Sequence, residues 1–209
     1  MTVRLLIARH GNTFKPDEIP RRVGARTDLP LVESGQAQAT RLGNYLKAND
    51  LIPDIVYTSQ LQRTVQTAEG ALAAIGISRP IHQSDMFNEI DHGPDENKTD
   101  PEIVARIGGT AFHQWEKENL MPRDWSPQPD VLRRRWFDFA RHAEQNYDDK
   151  TVLVVTSNGV ARFAPLLANN ADDVIGDNRK MGTGCLSIME GSGGLWMISH
   201  WNIKPRDAA

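Results

Sequence analysis

The stretch that most constrains this chain is the apolar run Val3–Ala8, interrupted only by Arg4 and stopped by Arg9-His10-Gly11. A run this short fits a buried strand, and the glycine lets the backbone turn tightly behind it. In open α/β sheets, ligands bind just beyond the carboxyl ends of strands. A strand tip carrying a permanent guanidinium and an imidazole is therefore expected to hold an anion beside a nucleophile or base. The alternative is a polar strand end whose Arg and His merely face water.

Two further runs read as buried strands. Ile55–Thr58 is short. Thr151–Thr156, every residue of it β-branched or Leu, is the strongest in the sequence, and its tip is expected beside that of the first strand. A third short strand begins at Ile81, after Pro80. Between these lie helical patterns. Ser34 is placed to cap a helix running to about Ala48, with an apolar stripe of Ala37, Leu42, Tyr45 and Leu46. Ser59–Glu69 reads as a helix start. Thr99 to Asn119 reads as one helix, with Thr99 or Asp100 as cap and Pro101 in its first turn. Asp130 to Tyr147 is a helix with a core stripe of Val131, Leu132, Trp136, Phe139 and Ala140, while Arg133, Arg134 and Arg135 fan out into solvent. Val160–Leu167 is a last helix, and Gly184–Ile203 is a hairpin turning at Gly191-Ser192-Gly193-Gly194 at the sheet margin. Phe14–Leu31 is irregular, broken by Pro16, Pro20 and Pro30.

A length of 209 residues suits one α/β unit with an insertion. Net charge is −3, so no overall attraction to nucleic acid or an anionic membrane is expected, and any anion must be held by a local group of arginines. The single Cys185 forms no internal disulfide and reads as a small core residue in a reducing compartment. The N-terminus lacks the pattern of a signal peptide, and no run approaches the ~18 apolar residues of a membrane span. A cytoplasmic protein is expected. The six histidines lack metal-ligand spacing, and neither a Walker loop nor a dinucleotide fingerprint occurs. No cofactor or metal is expected.

Arg9-His10-Gly11-Asn12-Thr13 resembles the signature of the histidine phosphatase (phosphoglycerate mutase-like) superfamily. Further segments match in order. Gly24–Leu31 is similar to the loop before the family's first helix, and Ser59–Glu69 to the segment whose arginine holds phosphate from the first helical turn. That residue here is Arg63, where it would also add to the positive end of the helix dipole. Met86–Gly93 is similar to the segment with the proton-donating carboxylate, best matched by Glu89, with Asp91, His92, Asp95 and Glu96 as neighbours open to the same role. At the tip of Thr151–Thr156 the family carries a second His followed by Gly. This chain has Ser157 and Asn158 instead, and His92 or His200 is an alternative source of that imidazole.

The resemblance implies a three-layer α/β sandwich, its mostly parallel sheet flanked by helices, in one domain spanning 1–209 with a small helical cap insertion at about 97–129. It implies phosphoryl transfer with His10 as nucleophile, Arg9 and Arg63 neutralising the phosphoryl oxygens, and Glu89 as acid and base. Asn12, Arg22, Ser157 and Asn158 are the expected phosphate- or substrate-binding residues, with Arg21 and Arg26 able to extend the site. The reading that follows is a phosphomonoester hydrolase acting on a small phosphorylated metabolite. The alternatives are a weak or silent phosphate-ligand binder, favoured by the lost His, and a phosphoglycerate mutase-type transferase. Substrate and oligomeric state are not legible.

Overall fold

The computed structural model describes residues 2–176 and 178–206. In chain order the elements are β1 (Val3–Arg9), α1 (Glu33–Ala48), β2 (Ile55–Thr58), α2 (Gln62–Ile75), β3 (Ile81–Gln83), α3 (Asp100–Ile107), α4 (Gly109–His113), α5 (Pro129–Asn146), β4 (Thr151–Thr156), α6 (Asn158–Ala161), α7 (Ala171–Ile175), β5 (Leu186–Ser192) and β6 (Leu195–Ile203). The strands form one sheet in the order β3-β2-β4-β1-β5-β6. The first four positions run parallel, and β5 and β6 are antiparallel at the margin. β1 and β4 are neighbours in register, from Arg4 opposite Thr151 to Arg9 opposite Thr156.

The three layers follow from alternation along β1. Leu6 and Ala8 point into a cluster with Leu42, Leu46, Ala68, Leu72 and Val155, which seats α1 and α2 on one face. Val3, Leu5 and Ile7 point the other way, into a cluster with Phe87, Trp136, Phe139, Val152 and Val154. Trp115 and Trp125 join that second cluster, each 1% exposed, so the 97–129 segment shares the main core. The Trp136 indole donates to the Val160 carbonyl at 2.9 Å, which ties α5 to the turn after β4. Among the described residues, no helix is long and apolar enough to cross a membrane.

Several helix expectations need correction. Val32, not Ser34, occupies the N-cap of α1, without a side-chain cap bond; the Ser34 hydroxyl accepts from Asn12 Nδ2 at 3.2 Å. The buried face of α1 holds Gly35, Ala39, Leu42, Gly43 and Leu46, so Ala39 takes the place expected for Ala37. The single helix expected over 99–119 is broken. Thr99 and Glu102 make the expected capping box, but Gly108 adopts φ 83° and ends α3. The chain resumes as α4 and passes into a π-helical turn, Gln114–Glu118. On α5, Val131 is 40% exposed and Ala143 completes the buried stripe. The helix expected over 160–167 is two short turns, α6 and the 3-10 segment Ala164–Leu167.

Candidate active site

The carboxyl ends of β1 and β4 open into a cleft of about 520 Å³. Arg9, His10, Asn12, Arg22, Glu89 and Asn158 face it. Arg63 and Ser157 are fully buried and do not line it.

His10 follows directly from β1, its N–H held by the Thr156 carbonyl at 3.0 Å. Its Nδ1 stands 2.7 Å from the Gly11 carbonyl oxygen. A carbonyl only accepts, so Nδ1 carries the proton and Nε2 keeps the lone pair in the neutral ring. Burial first, then the charges of Arg63 and Arg9, holds the imidazole well below its ordinary pKa, and the ring is neutral.

Backbone contact fixes the turn after His10. A Cβ on Gly11 would lie 2.4 Å from the Gly35 carbonyl oxygen, and one on Gly35 would lie 2.2 Å from that of Asn12. The β1 tip and the start of α1 therefore meet main chain to main chain. Val32 N–H donates to the Asn12 carbonyl at 3.0 Å across the same junction. The Asn12 side chain is set by Thr183, whose hydroxyl donates to it at 2.5 Å, and by Ser34.

Arg9 donates one Nη to the Met181 carbonyl at 2.7 Å. Arg63, in the first turn of α2 as expected, donates its two Nη groups to the carbonyls of Thr27 and Gly24. In both arginines Nε is buried without an acceptor among the described residues. Burial lowers both guanidinium pKa values, and the charge of Glu89 opposes that in each. Both charges bear on His10, and each guanidinium keeps one donor unused among the described residues.

Glu89 is 7% exposed. One carboxylate oxygen accepts from its neighbour Ile90 N–H at 2.9 Å, the other from Gly159 N–H at 3.2 Å. Gly159 permits this approach, since a Cβ there would fall 2.2 Å from Oε1. The neighbouring candidates are committed elsewhere. Asp95 is 1% exposed and holds Arg106 and the Trp125 indole. Asp91 pairs with Arg26 at 3.0 Å. Glu96 accepts from the N–H of Gly24, Arg26 and His92 and from the Thr27 hydroxyl. Burial would raise the Glu96 carboxyl, but the hydrogen bonds from His92 and Thr27 outweigh it and bring it down to about 2. His92 does face the cleft, edge-on to Trp125 and 3.6 Å from Glu96. His200 is exposed on β6 and does not, so it is no substitute for a second site imidazole. Arg26, expected to extend the anion site, is instead drawn to Asp91 and the Gly93 carbonyl; Arg21 does line the cleft.

At the β4 tip, Ser157 Oγ is buried without a partner among the described residues. Asn158 Oδ1 accepts from Met181 N–H at 2.9 Å, which positions the carbonyl used by Arg9. Glu116 and Lys180 also face the cleft. Sequence reasoning missed both, because each gains its meaning only from partners 64 to 94 positions away.

The model of the histidine phosphatase superfamily (branch 1) matches residues 5–204. A 2,3-bisphosphoglycerate-dependent phosphoglycerate mutase of Mycobacterium tuberculosis is 30% identical over 177 residues, covering 83% of this chain and 67% of the relative. The corresponding mutase of Bifidobacterium longum is 35% identical over 125 residues, 58% of this chain, and the match spans about half, 49%, of that longer protein. The structure of a mycobacterial glucosyl-3-phosphoglycerate phosphatase superposes with a TM-score of 0.76 at 21% identity, covering 97% of this chain and 99% of the other. The chain belongs to the histidine phosphatase superfamily.

Proposed function

We propose that the protein hydrolyses small phosphomonoesters through a phosphohistidine formed on His10. The observation that carries this reading is the Nδ1 contact to the Gly11 carbonyl, which leaves a lone pair on Nε2 of a ring kept neutral by burial and by two arginines. Nε2 attacks phosphorus, the P–O ester bond breaks, and the Glu89 carboxyl gives its proton to the leaving oxygen. Water then attacks the phosphohistidine, Glu89 takes the proton from that water, and the P–N bond breaks to release phosphate. Arg9, which lines the cleft, and Arg63, buried behind its lining, stabilise the charge on the transferring group; each has an Nε–H without an acceptor among the described residues. A metal-free reaction with a small phosphorylated substrate, in the cytoplasm, follows from the same reading.

A second reading is favoured by one observation: the β4 tip offers Ser157, uncharged, where the family has a second His. Under it the cleft binds phosphate ligands and turns over slowly or not at all. Hydrolysis of an aryl phosphate separates the two. With rapid acid-free quenching of labelled substrate, the wild type is expected to carry an acid-labile, base-stable label. His10→Ala is expected to lose the label and at least about a thousandfold in turnover. Near wild-type turnover in that variant overturns the nucleophile assignment. Phosphate that raises Tm by mass action without any turnover identifies the binder.

A further inference from the structure

A part of the cleft that the chemistry above does not use is lined by Arg22, Asp100, Glu116 and Lys180. Arg22 donates to Asp100 at 3.0 Å and to Glu116 at 3.0 Å, and Lys180 donates to the other Glu116 oxygen at 2.6 Å. Two cations meet two carboxylates, so this wall is electrically closed on itself.

Glu116 is not free to swing aside. Its side chain keeps 17% of its surface and is gripped from two sides. Its backbone is held from below by Arg162, which is 1% exposed. That guanidinium lies 4.2 Å over the Trp115 ring and donates to the Trp115 carbonyl at 2.9 Å and to the Glu116 carbonyl at 3.4 Å. Those carbonyls belong to the π-helical turn Gln114–Glu118, the kind of local departure from α geometry often found at functional sites. Burial would raise the Glu116 carboxyl, but the Lys180 hydrogen bond and the Arg22 charge overcome it and bring it down to about 2, so it stays ionised at neutral pH.

A second anionic group on a substrate entering here must compete with Glu116 for Arg22 and Lys180, and it also faces the Glu116 charge. A hydroxyl meets no such opposition. It donates to a carboxylate and accepts from the ammonium hydrogens that Lys180 does not spend on Glu116. At about 520 Å³ the cleft exceeds what a phosphoryl group needs, and Phe14 and Trp115 add apolar surface to it.

Building on the phosphomonoesterase reading, we propose that the leaving group is a neutral polyhydroxy compound, and that Glu116 is the specificity-determining residue that rejects substrates with a second negative charge. The test uses glycerol 3-phosphate and 3-phosphoglycerate, which are close in size and differ by a hydroxymethyl group against a carboxylate. The wild type is expected to favour glycerol 3-phosphate in kcat/KM. Glu116→Gln, isosteric and still able to accept from Lys180, is expected to shift the ratio toward 3-phosphoglycerate by about tenfold, the low end for one charge-assisted contact. Lys180→Ala is expected to shift it the other way, by less, because the lysine is half exposed. A wild type that favours 3-phosphoglycerate, or a ratio unmoved by both variants, overturns the proposal. If neither ester nor the aryl phosphate is turned over, the hydrolase reading fails by itself. The selectivity is then read from the Tm shift each ester produces, with the same order in the wild type and the same change toward 3-phosphoglycerate in Glu116→Gln expected, and equal shifts for both esters overturning it.

Discussion

The tips of β1 and β4 lie side by side, one step beyond the paired residues Arg9 and Thr156, yet they contribute opposite chemistry. The β1 tip supplies a charge and an imidazole: Arg9, and a His10 whose tautomer is fixed by its own backbone. The β4 tip supplies neither. Its first residue, Ser157, is buried with a hydroxyl that has no partner among the described residues, and its contribution is made through main chain and amide. Gly159 N–H holds Glu89, and Asn158 holds the loop that carries the Arg9 acceptor. The contrast teaches that two strands in one environment need not share a task. One ends in a guanidinium and an imidazole, and the other steadies the Glu89 carboxylate and the loop that anchors Arg9.

That division is open to attack, first through Glu89. If it acts as acid from its seat on the β4 turn, Glu89→Gln is expected to slow alkyl phosphates by about 10²- to 10⁴-fold while sparing a nitrophenyl ester, whose leaving group departs unassisted. Equal losses on both esters move the role to His92, the one other candidate of that segment facing the cleft. The second attack gives the β4 tip the chemistry it lacks. Ser157→His with Asn158→Gly is expected to raise turnover by about 10- to 150-fold, the value of one charge-assisted contact. Because Asn158 positions the loop that anchors Arg9, Ser157→His alone serves as the companion variant. A fall in both, with unchanged folding, shows that β4 is committed to its supporting task.

The smallest effect is in stability. Burial and the two arginines hold His10 below its ordinary pKa, so below about pH 6.5 the unfolded chain binds a proton that the native one refuses. More protons on the unfolded state mean that stability falls as pH drops and recovers as pH rises, with a slope of at most about 1.4 kcal/mol per pH unit. His10→Ala is expected to lose this component in urea unfolding from pH 5 to 8, and Ser157→Ala to retain it. Parallel curves for wild type and His10→Ala would mean that His10 is not depressed.

The strands were legible because each is a short, mostly apolar run. Val3–Arg9, Ile55–Thr58 and Thr151–Thr156 stand where hydrophobicity puts them, whereas Arg63, in the first turn of α2, was legible only through the family resemblance. The cap was not. Helical spacing runs through 99–119, but Gly108 turns the backbone to a positive φ and the π-helical turn shifts every later side chain round the axis. Ser34 looked like a cap, yet a hydroxyl can serve a neighbouring loop equally well, and Asn12 claims it. Among five titratable residues in 89–96, periodicity has no power to choose. Burial and competing partners do, taking Asp91, Asp95 and Glu96 out of the cleft. Glu116 and Lys180 had no local signal at all.

The closure at Gly11, Asn12, Val32 and Gly35 sets the segment 13–31 apart from the strand end it leaves. Residues 13–31 leave and return through one neck, so the strand tip that bears His10 does not register how long the excursion is. Doubling such an excursion adds only about 0.6 kcal/mol of closure entropy. The carbonyls of Gly24 and Thr27, which hold Arg63, lie on its returning half. Its length can therefore change ahead of Gly24, while the strand end that bears His10 stays in place.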